Sequence, residues 1–328
     1  MTRAIEVSDL TKSFAGLTAV NHISFRIEQG EIFGLLGPNG AGKTTTLSML
    51  STMLTPTSGT AVIQGIEIGK DPDGVRNVIG IVFQDQSLDE ELTAGENMDF
   101  HGRLYRIPHD LRKQRTDELL HLVELYDRKN DIVKTFSGGM RRRLEIARGL
   151  LHHPSVLFLD EPTLGLDPQT RNHLWQYISS LSKEKHITII LTTHYMEEAD
   201  RLCDRIAIID QGKIIALDTP QNLKDSIGGD VVTINTPDTG AICRIMTEPW
   251  VIHLEEYNEE VRISLRQAEQ YISSIITLIN AHDIPITRVS IHKPTLEDVF
   301  LSFTGKTIRE QEIGGKENMR MHRKMARH

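Results

Sequence analysis

Eight consecutive residues, Gly37-Pro38-Asn39-Gly40-Ala41-Gly42-Lys43-Thr44, constrain this chain more than any other part of it. They follow a short apolar run, Ile32 to Leu36, of the kind that forms a buried strand. They open a stretch, Lys43 to Leu54, that reads as a helix ended by Thr55-Pro56. A strand passing through a glycine-rich loop into a helix is a ready cradle for phosphate. Glycines let the backbone wrap closely around phosphate oxygens, the free N–H groups of the helix start point at them, and the helix dipole favours their charge. In this context Lys43 is expected to reach the β- and γ-phosphates of a nucleoside triphosphate, and Thr44 to ligate Mg²⁺. The candidate contacts are Gly37, Pro38, Asn39, Gly40, Ala41, Gly42, Lys43, Thr44 and Thr45.

A second signal is Asp160-Glu161, which ends the apolar run Val156 to Leu159. An acidic pair at the carboxyl end of a buried parallel strand faces the crevice where such sheets bind ligands. Asp160 is expected to hold Mg²⁺ or its waters, and Glu161 to orient or deprotonate an attacking water. A third signal is Ser137-Gly138-Gly139, opening a helix. It is either a plain N-cap or a second anion site. The phosphate loop already supplies one such site, so a second makes most sense closing on a nucleotide held by another subunit. Arg141, Arg142 and Arg143 follow it; three consecutive helix positions point in different directions, which implies solvated or salt-bridged side chains rather than a binding patch.

The chain's organisation is α/β. Residues 1–84 read as strands around the loop-to-helix junction, and 86–150 as a mostly helical insertion. Buried-strand runs then return at Val156–Leu159, Ile187–Leu191 and Ile206–Ile209, with helices between them. Such alternation implies a largely parallel sheet covered on both faces. A boundary is expected at Gly228-Gly229, giving domains of 1–228 and 229–305. The second reads βαββαβ, a small α+β unit of ferredoxin-like type: Val231–Asn235, Thr239–Glu248, Val251–Tyr257, Val261–Leu265, Ala268–Ala281 and Ile286–Ile291. Its second helix, Ala268–Ala281, carries Tyr271, Ile272, Ile275, Ile276 and Ile279 on one stripe. Residues 306–328 form a polar, basic tail expected to be disordered. No apolar run approaches the roughly 18 residues of a membrane span, and the N-terminus lacks a signal peptide's apolar core. The net charge of -8 argues against nucleic acid as a main partner. Cys203 and Cys243 give neither zinc spacing nor a disulfide framework, and Cys203 reads as a packed thiol.

Together these motifs resemble the nucleotide-binding subunit of an ABC transporter over roughly residues 3–225, every expected motif appearing in order. The resemblance implies a P-loop NTPase fold with a helical subdomain, and adds residues that spacing alone does not pick out. Phe14 lies where the family stacks an aromatic ring, usually Tyr, on adenine. Gln84, in Val82-Phe83-Gln84, matches the glutamine that senses Mg²⁺ and water. Phe136-Ser137-Gly138-Gly139-Met140 matches the signature sequence, departing from the commonest form at its first and last positions. Leu166-Asp167 matches a loop that crosses the dimer interface, and His194, in Thr192-Thr193-His194, the switch histidine. The implied catalytic set is Glu161, His194 and Lys43. Ser137, Gly138, Gly139 and Asp167 would meet ATP across a dimer, and Thr44, Gln84 and Asp160 would hold Mg²⁺.

Thr295-Leu296-Glu297-Asp298-Val299-Phe300-Leu301, after the small α/β unit, resembles the C-terminal extension of ABC proteins that drive drug, antibiotic, sodium or lipid export, daunorubicin-resistance-type exporters above all. The stretch also reads simply as an amphipathic packing helix. The expected function is a transporter motor that ATP clamps into a dimer, on the cytoplasmic face of the membrane, driving a separate transmembrane permease. No site looks degenerate, which points to a homodimer. The alternative is a non-transport ABC ATPase acting on ribosomes or nucleic acid. Only one phosphate loop and no sustained heptad run are present, unlike the tandem translation-factor type or the coiled-coil chromosome type.

Overall fold

A computed structural model describes residues 3–304 of the chain. They divide into two compact units, which part between Leu217 and Asp218.

The first unit contains two sheets. One is antiparallel, ordered β2-β1-β4-β5, from β1 (Arg3–Phe14), β2 (Leu17–Glu28), β4 (Ser58–Ile63) and β5 (Ile66–Glu67). The other is ordered β10-β9-β3-β8-β7-β6, from β3 (Ile32–Leu36), β6 (Ile79–Val82), β7 (Val156–Asp160), β8 (Thr188–Thr193), β9 (Arg205–Asp210) and β10 (Lys213–Asp218). Its strands from β9 to β6 run parallel. Helices alternate with these strands: α1 (Lys43–Leu50), α2 (Pro72–Val78), α3 (Ala94–Leu104), α4 (His109–Leu122), α5 (Gly138–Leu150), α6 (Pro168–Lys185) and α7 (Met196–Leu202). The insertion read over 86–150 holds α3, α4 and α5, joined by short 3₁₀ turns at Tyr126–Arg128 and Val133–Thr135.

The alternation of β2 explains its place. Ile23, Phe25 and Ile27 are buried while Ser24 and Arg26 face water, so one face of the antiparallel sheet packs on the core. Phe25 stacks on Phe33 of β3, ring centroids 5.2 Å apart. Strands β3, β7 and β8 are buried at every position, as expected for parallel strands covered on both faces. Their register matters for function. Leu36 pairs with Thr193, and Asp160 with Thr192, so the residues that follow β3, β7 and β8 emerge side by side at one edge of the sheet.

Two expectations for this unit need correction. The helix after the glycine loop ends at Leu50, not Leu54. Thr52 takes the left-handed conformation at φ 63°, its N–H donates to the Met49 carbonyl, and the Met53 N–H donates to that of Ser48. This is a Schellman stop, normally built on glycine, and a threonine conceals it in the sequence. The segment before β6 also contains α2, with Asp71 as N-cap and Pro72 in the first turn, a start signal that sequence reading passed over.

In the second unit the boundary precedes the expected Gly228-Gly229, because α8 (Pro220–Asp225) packs against α11 (Leu296–Thr304) and belongs with it. The βαββαβ order holds: β11 (Asp230–Asn235), α9 (Thr239–Ile245), β12 (Val251–Tyr257), β13 (Glu260–Leu265), α10 (Ala268–Ala281) and β14 (Arg288–His292). The sheet runs β12-β13-β11-β14 with every pair antiparallel, the ferredoxin-like order. Val232, Ile234, Val261, Ile263 and Leu265 line one face beneath Ile275 and Ile279 of α10. The Thr295–Leu301 motif has a structural use inside this unit. Buried Asp298 accepts from the Thr295 N–H at 2.8 Å and from Arg262 of β13 at 2.9 Å, and lies 3.2 Å from His292 Nε2. The basic tail, 306–328, lies outside the described residues. Among those described, no helix is long and apolar enough to cross a membrane.

The helix stop makes a prediction. Left-handed backbone costs a residue bearing a side chain roughly 1–2 kcal/mol, and glycine's extra freedom in the unfolded chain offsets about 0.4–1 kcal/mol of any relief. Thr52→Gly is therefore expected to stabilise the first unit by about 0.5–1 kcal/mol in denaturant unfolding; destabilisation would contradict the Schellman assignment.

Candidate active site

The loop between β3 and α1 is shaped by close backbone approaches that leave no room for side chains. A Cβ on Gly37 would lie 2.2 Å from the Ile209 carbonyl oxygen. Gly42 combines φ 105° with a Cβ position 2.5 Å from the Ala19 oxygen. Gly42 also serves as the N-cap of α1 and offers that helix no side-chain cap, and its first turn carries no acidic residue. An uncapped helix start of this kind suits an anion, which its N–H groups and dipole would favour.

Lys43 is buried within the loop. Its ammonium donates to the carbonyls of Gly37 at 2.7 Å and Pro38 at 3.1 Å, and lies 3.6 Å from Glu161 Oε1. Glu161 follows β7 in the left-handed conformation, φ 47°. Its N–H donates to the hydroxyl and the carbonyl of Thr192, at 3.0 and 3.2 Å. Its carboxylate lies 3.2 Å from His194 Nδ1. Burial pushes the Glu161 carboxyl up, but the His194 hydrogen bond and the Lys43 charge outweigh it and hold the group below the usual carboxylate range. Asp160 is the neighbouring acid. Its Oδ1 accepts from Thr44 Oγ1 at 3.2 Å and from the Thr192 hydroxyl. Register thus brings Lys43, Thr44, Asp160, Glu161 and His194 into one cluster from three separate stretches of sequence.

The Thr44 hydroxyl and Asp160 carboxylate are both hard oxygen donors, the chemistry Mg²⁺ selects. Two protein ligands suit an ion that keeps several waters and takes the rest of its shell from phosphates. Gln84 is exposed on the loop after β6, and among the described residues no hydrogen bond ties it to Thr44 or Asp160. Thr45 is half-buried in α1, and Asn39 and Gly40 are exposed at the loop tip. Ala41 is buried, and its N–H donates to the Pro38 carbonyl. Phe14 is exposed at the end of β1, beside the two-residue turn Ala15-Gly16, with the Lys12 ammonium 5.2 Å over its ring.

Ser137 N-caps α5, its hydroxyl accepting from the Met140 N–H at 3.3 Å. A Cβ on Gly139 would lie 2.2 Å from Thr170 Cγ2, whereas one on the exposed Gly138 would make only an ordinary contact with Leu166 Cδ2, at 3.8 Å. Asp167 caps α6 through the N–H groups of Gln169 and Thr170. The Ser-Gly-Gly stretch and the Leu166-Asp167 loop are therefore neighbours within the same chain.

Two site residues escaped sequence reading. Thr192 bridges the acidic pair, but only the β7–β8 register reveals it. Arg142 is the second. All three arginines pair with an acid as expected, Arg141 with Glu90, Arg142 with Glu145 and Arg143 with Glu124, but Arg142 is also buried and bound to the backbone around Glu161. A charged residue on the apolar face of α5 was the available signal. A cavity of about 840 Å³ lined by Gly30, Ser155 and Thr188 lies at the amino ends of the strands, the edge opposite the cluster.

A phosphate loop at the carboxyl edge of a parallel sheet, facing a buried acidic pair and a helical insertion, defines a nucleotide-hydrolysing cassette. Comparison with known proteins agrees. Residues 20–164 match the ABC transporter family model, and 219–304 match the model for the C-terminal domain of DrrA1-3-like ATP-binding proteins. The chain is 40% identical to the linearmycin resistance ATP-binding protein LnrL of Bacillus subtilis, covering 93% of this chain and 100% of that one. It is 38% identical to the daunorubicin/doxorubicin resistance ATP-binding protein DrrA of Streptomyces peucetius, covering 93% of each. Among solved structures, the ATP-binding cassette MJ0796, a dimer in a post-hydrolysis state bound to ADP and Pi, superposes with TM-score 0.59 at 28% identity, covering 66% of this chain and 98% of that one. The chain belongs to the ABC transporter family, as an ATP-hydrolysing subunit.

The loop geometry separates two glycines. Gly40 has φ 84° but nothing within 4 Å of a Cβ, whereas Gly42 would meet backbone. Gly42→Ala is expected to weaken ATP binding about tenfold or more, equivalent to roughly 1.4 kcal/mol, and Gly40→Ala clearly less. Equal losses in a fluorescent-nucleotide titration would contradict this account of the loop.

Proposed function

We propose that this chain is the motor of an exporter for amphipathic antibiotic-like compounds, working as a homodimer on the cytoplasmic face of the membrane beneath a separate transmembrane permease. The observation that carries the motor reading is the convergence of Lys43, Asp160, Glu161 and His194 at the edge of the sheet where the glycine loop opens. The cargo class rests on the matched C-terminal domain and on the names of the two resistance proteins.

In this reading Gly37 to Thr45 wrap the phosphates of ATP and Phe14 stacks on adenine. Lys43 exchanges its loop carbonyls for the β- and γ-phosphate oxygens. Thr44, Asp160 and Gln84 hold Mg²⁺, which when bound neutralises charge on those oxygens. Glu161 accepts the proton of a water that attacks the γ-phosphorus, and ADP leaves with the bridging oxygen. His194 orients Glu161 through their 3.2 Å contact and senses the γ-phosphate. Ser137, Gly138, Gly139 and Asp167 of a second copy close the site, so ATP joins two chains and hydrolysis lets them part. The dimeric MJ0796 structure supports that arrangement.

The test uses Glu161→Gln. The variant is expected to keep ATP affinity and lose on the order of 10²–10⁴ in turnover, the range of a general base. Held in Mg-ATP and drawn from detergent-solubilised membranes of its own source, it is expected to bring down a polypeptide with several spans of roughly 20 apolar residues. Recovery of ribosomes or nucleic acid instead would overturn the transport reading.

A pH experiment probes the His194 contact. His194 lowers the Glu161 carboxyl and burial raises it, so His194→Ala leaves burial less opposed. The acid limb of the residual rate is expected to move to higher pH, because a protonated Glu161 cannot take a proton. A limb that stays in place or moves lower would sink the role assigned to His194.

A further inference from the structure

Arg142 makes a set of bonds that no packing requirement of α5 explains. Its side chain is buried, and its guanidinium donates four hydrogen bonds. Nε donates to the Pro162 carbonyl at 3.0 Å and Nη2 to the Asp160 carbonyl at 2.7 Å. Nη1 donates to the Phe83 carbonyl at 2.5 Å and to Glu145 Oε2 at 3.0 Å. Glu145 is almost wholly buried, and its other oxygen accepts from the Ser87 N–H at 2.8 Å.

The first two acceptors flank Glu161, one on each side. Glu161 holds a left-handed backbone, φ 47°, that a residue with a side chain keeps only when its surroundings fix it. Thr192 secures the Glu161 N–H from the β8 side. Arg142 secures both neighbouring carbonyls from the α5 side. A planar guanidinium suits this task, because its donors sit in a fixed fork, whereas a lysine ammonium is one mobile point. The third acceptor, Phe83, immediately precedes Gln84. One side chain thus joins three segments: the helix opened by Ser137-Gly138-Gly139, the turn carrying Glu161, and the strand end leading to Gln84.

We propose that Arg142 is a positioning residue for hydrolysis, fixing the Glu161 turn so that its carboxylate meets the attacking water, and tying that geometry to the placement of α5. Glu145 is its counter-charge and completes the link to the segment after Gln84. Arg142 does not touch the nucleotide and acts through Glu161 alone. The proposal rests on the reading of Glu161 as the base.

The test is a double-mutant cycle in the full-length protein. Arg142→Gln combined with Glu145→Ala removes both charges together, so neither is left buried and unpaired. This variant is expected to keep its nucleotide affinity and KM within about twofold while kcat falls on the order of 10–100-fold, the scale of a displacement near 1 Å. Arg142→Lys, which keeps the charge but not the fork, is expected to fall between. Placed on Glu161→Gln and followed by single-turnover hydrolysis, the same pair is expected to cost less than about twofold more, because residues acting as a unit are non-additive. A fully multiplicative loss on that background, an unchanged kcat, or a loss confined to KM would each overturn the proposal while leaving Glu161 as base. Near-normal turnover of Glu161→Gln alone would overturn that reading and the proposal with it. If the charge-free pair does not fold, Arg142→Lys carries the cycle with the same criteria.

Discussion

The buried contact between Lys43 and Glu161 is the interaction around which the first unit is arranged. Two opposite charges 3.6 Å apart, with both side chains almost fully out of water, bear a desolvation cost that attraction alone seldom recovers. The fold offsets that cost with fixed partners. Gly37 and Pro38 turn their carbonyls to the ammonium, and His194 meets the carboxylate. Each partner stands at the end of a different buried strand or in the loop that leaves it. The pair therefore exists only if β3, β7 and β8 lie in one register, and a one-residue slip would scatter it. Such an arrangement stores little stability. Its value is chemical: a carboxylate kept charged, with a cation held beside it, at the mouth of the glycine loop.

How much of this was legible in the sequence depended on distance along the chain. The glycine loop was readable because its chemistry is local: backbone shape, helix start and lysine lie within eight residues. Asp160-Glu161 was readable because a polar pair interrupts an apolar run. The parallel run of β3, β7 and β8 follows from alternation with helices, though their spatial order does not, and the βαββαβ order of the second unit follows from its periodicities. Thr192 and Arg142 were opaque for the opposite reason. A threonine in a strand and an arginine in a basic helix are ordinary until tertiary structure supplies their partners. The helix stop at Thr52 and the unit boundary at Leu217 failed similarly, one hidden by a residue that the Schellman motif does not favour, the other by a short helix that packs forward in sequence.

The signature helix shows how one element serves two ends. At its amino end Gly139 is pressed against Thr170, a contact that a methyl group would break, while Ser137 and Gly138 are exposed. One turn further on, Arg142 is sealed in the interior and fastened to the turn that carries Glu161. The outward end is thus available to a second chain, and the inward end is rigidly referenced to Glu161. In the second unit, Asp298 has the comparable role of gathering an arginine, a histidine and its own helix cap. Its motif is explained within that unit by polar satisfaction of a buried carboxylate.

The central claim is that ATP is hydrolysed at a site built from the phosphate loop of one chain and the Ser-Gly-Gly stretch of another. Complementation tests it most directly. Chains carrying Lys43→Ala and chains carrying Ser137→Arg, each inactive as homodimers, are co-expressed with different tags, and the mixed dimer is isolated through both. It then contains one site with an intact loop facing an intact Ser-Gly-Gly, and the account predicts that turnover returns. A mixed dimer that assembles in ATP yet stays as inactive as its parents would contradict it.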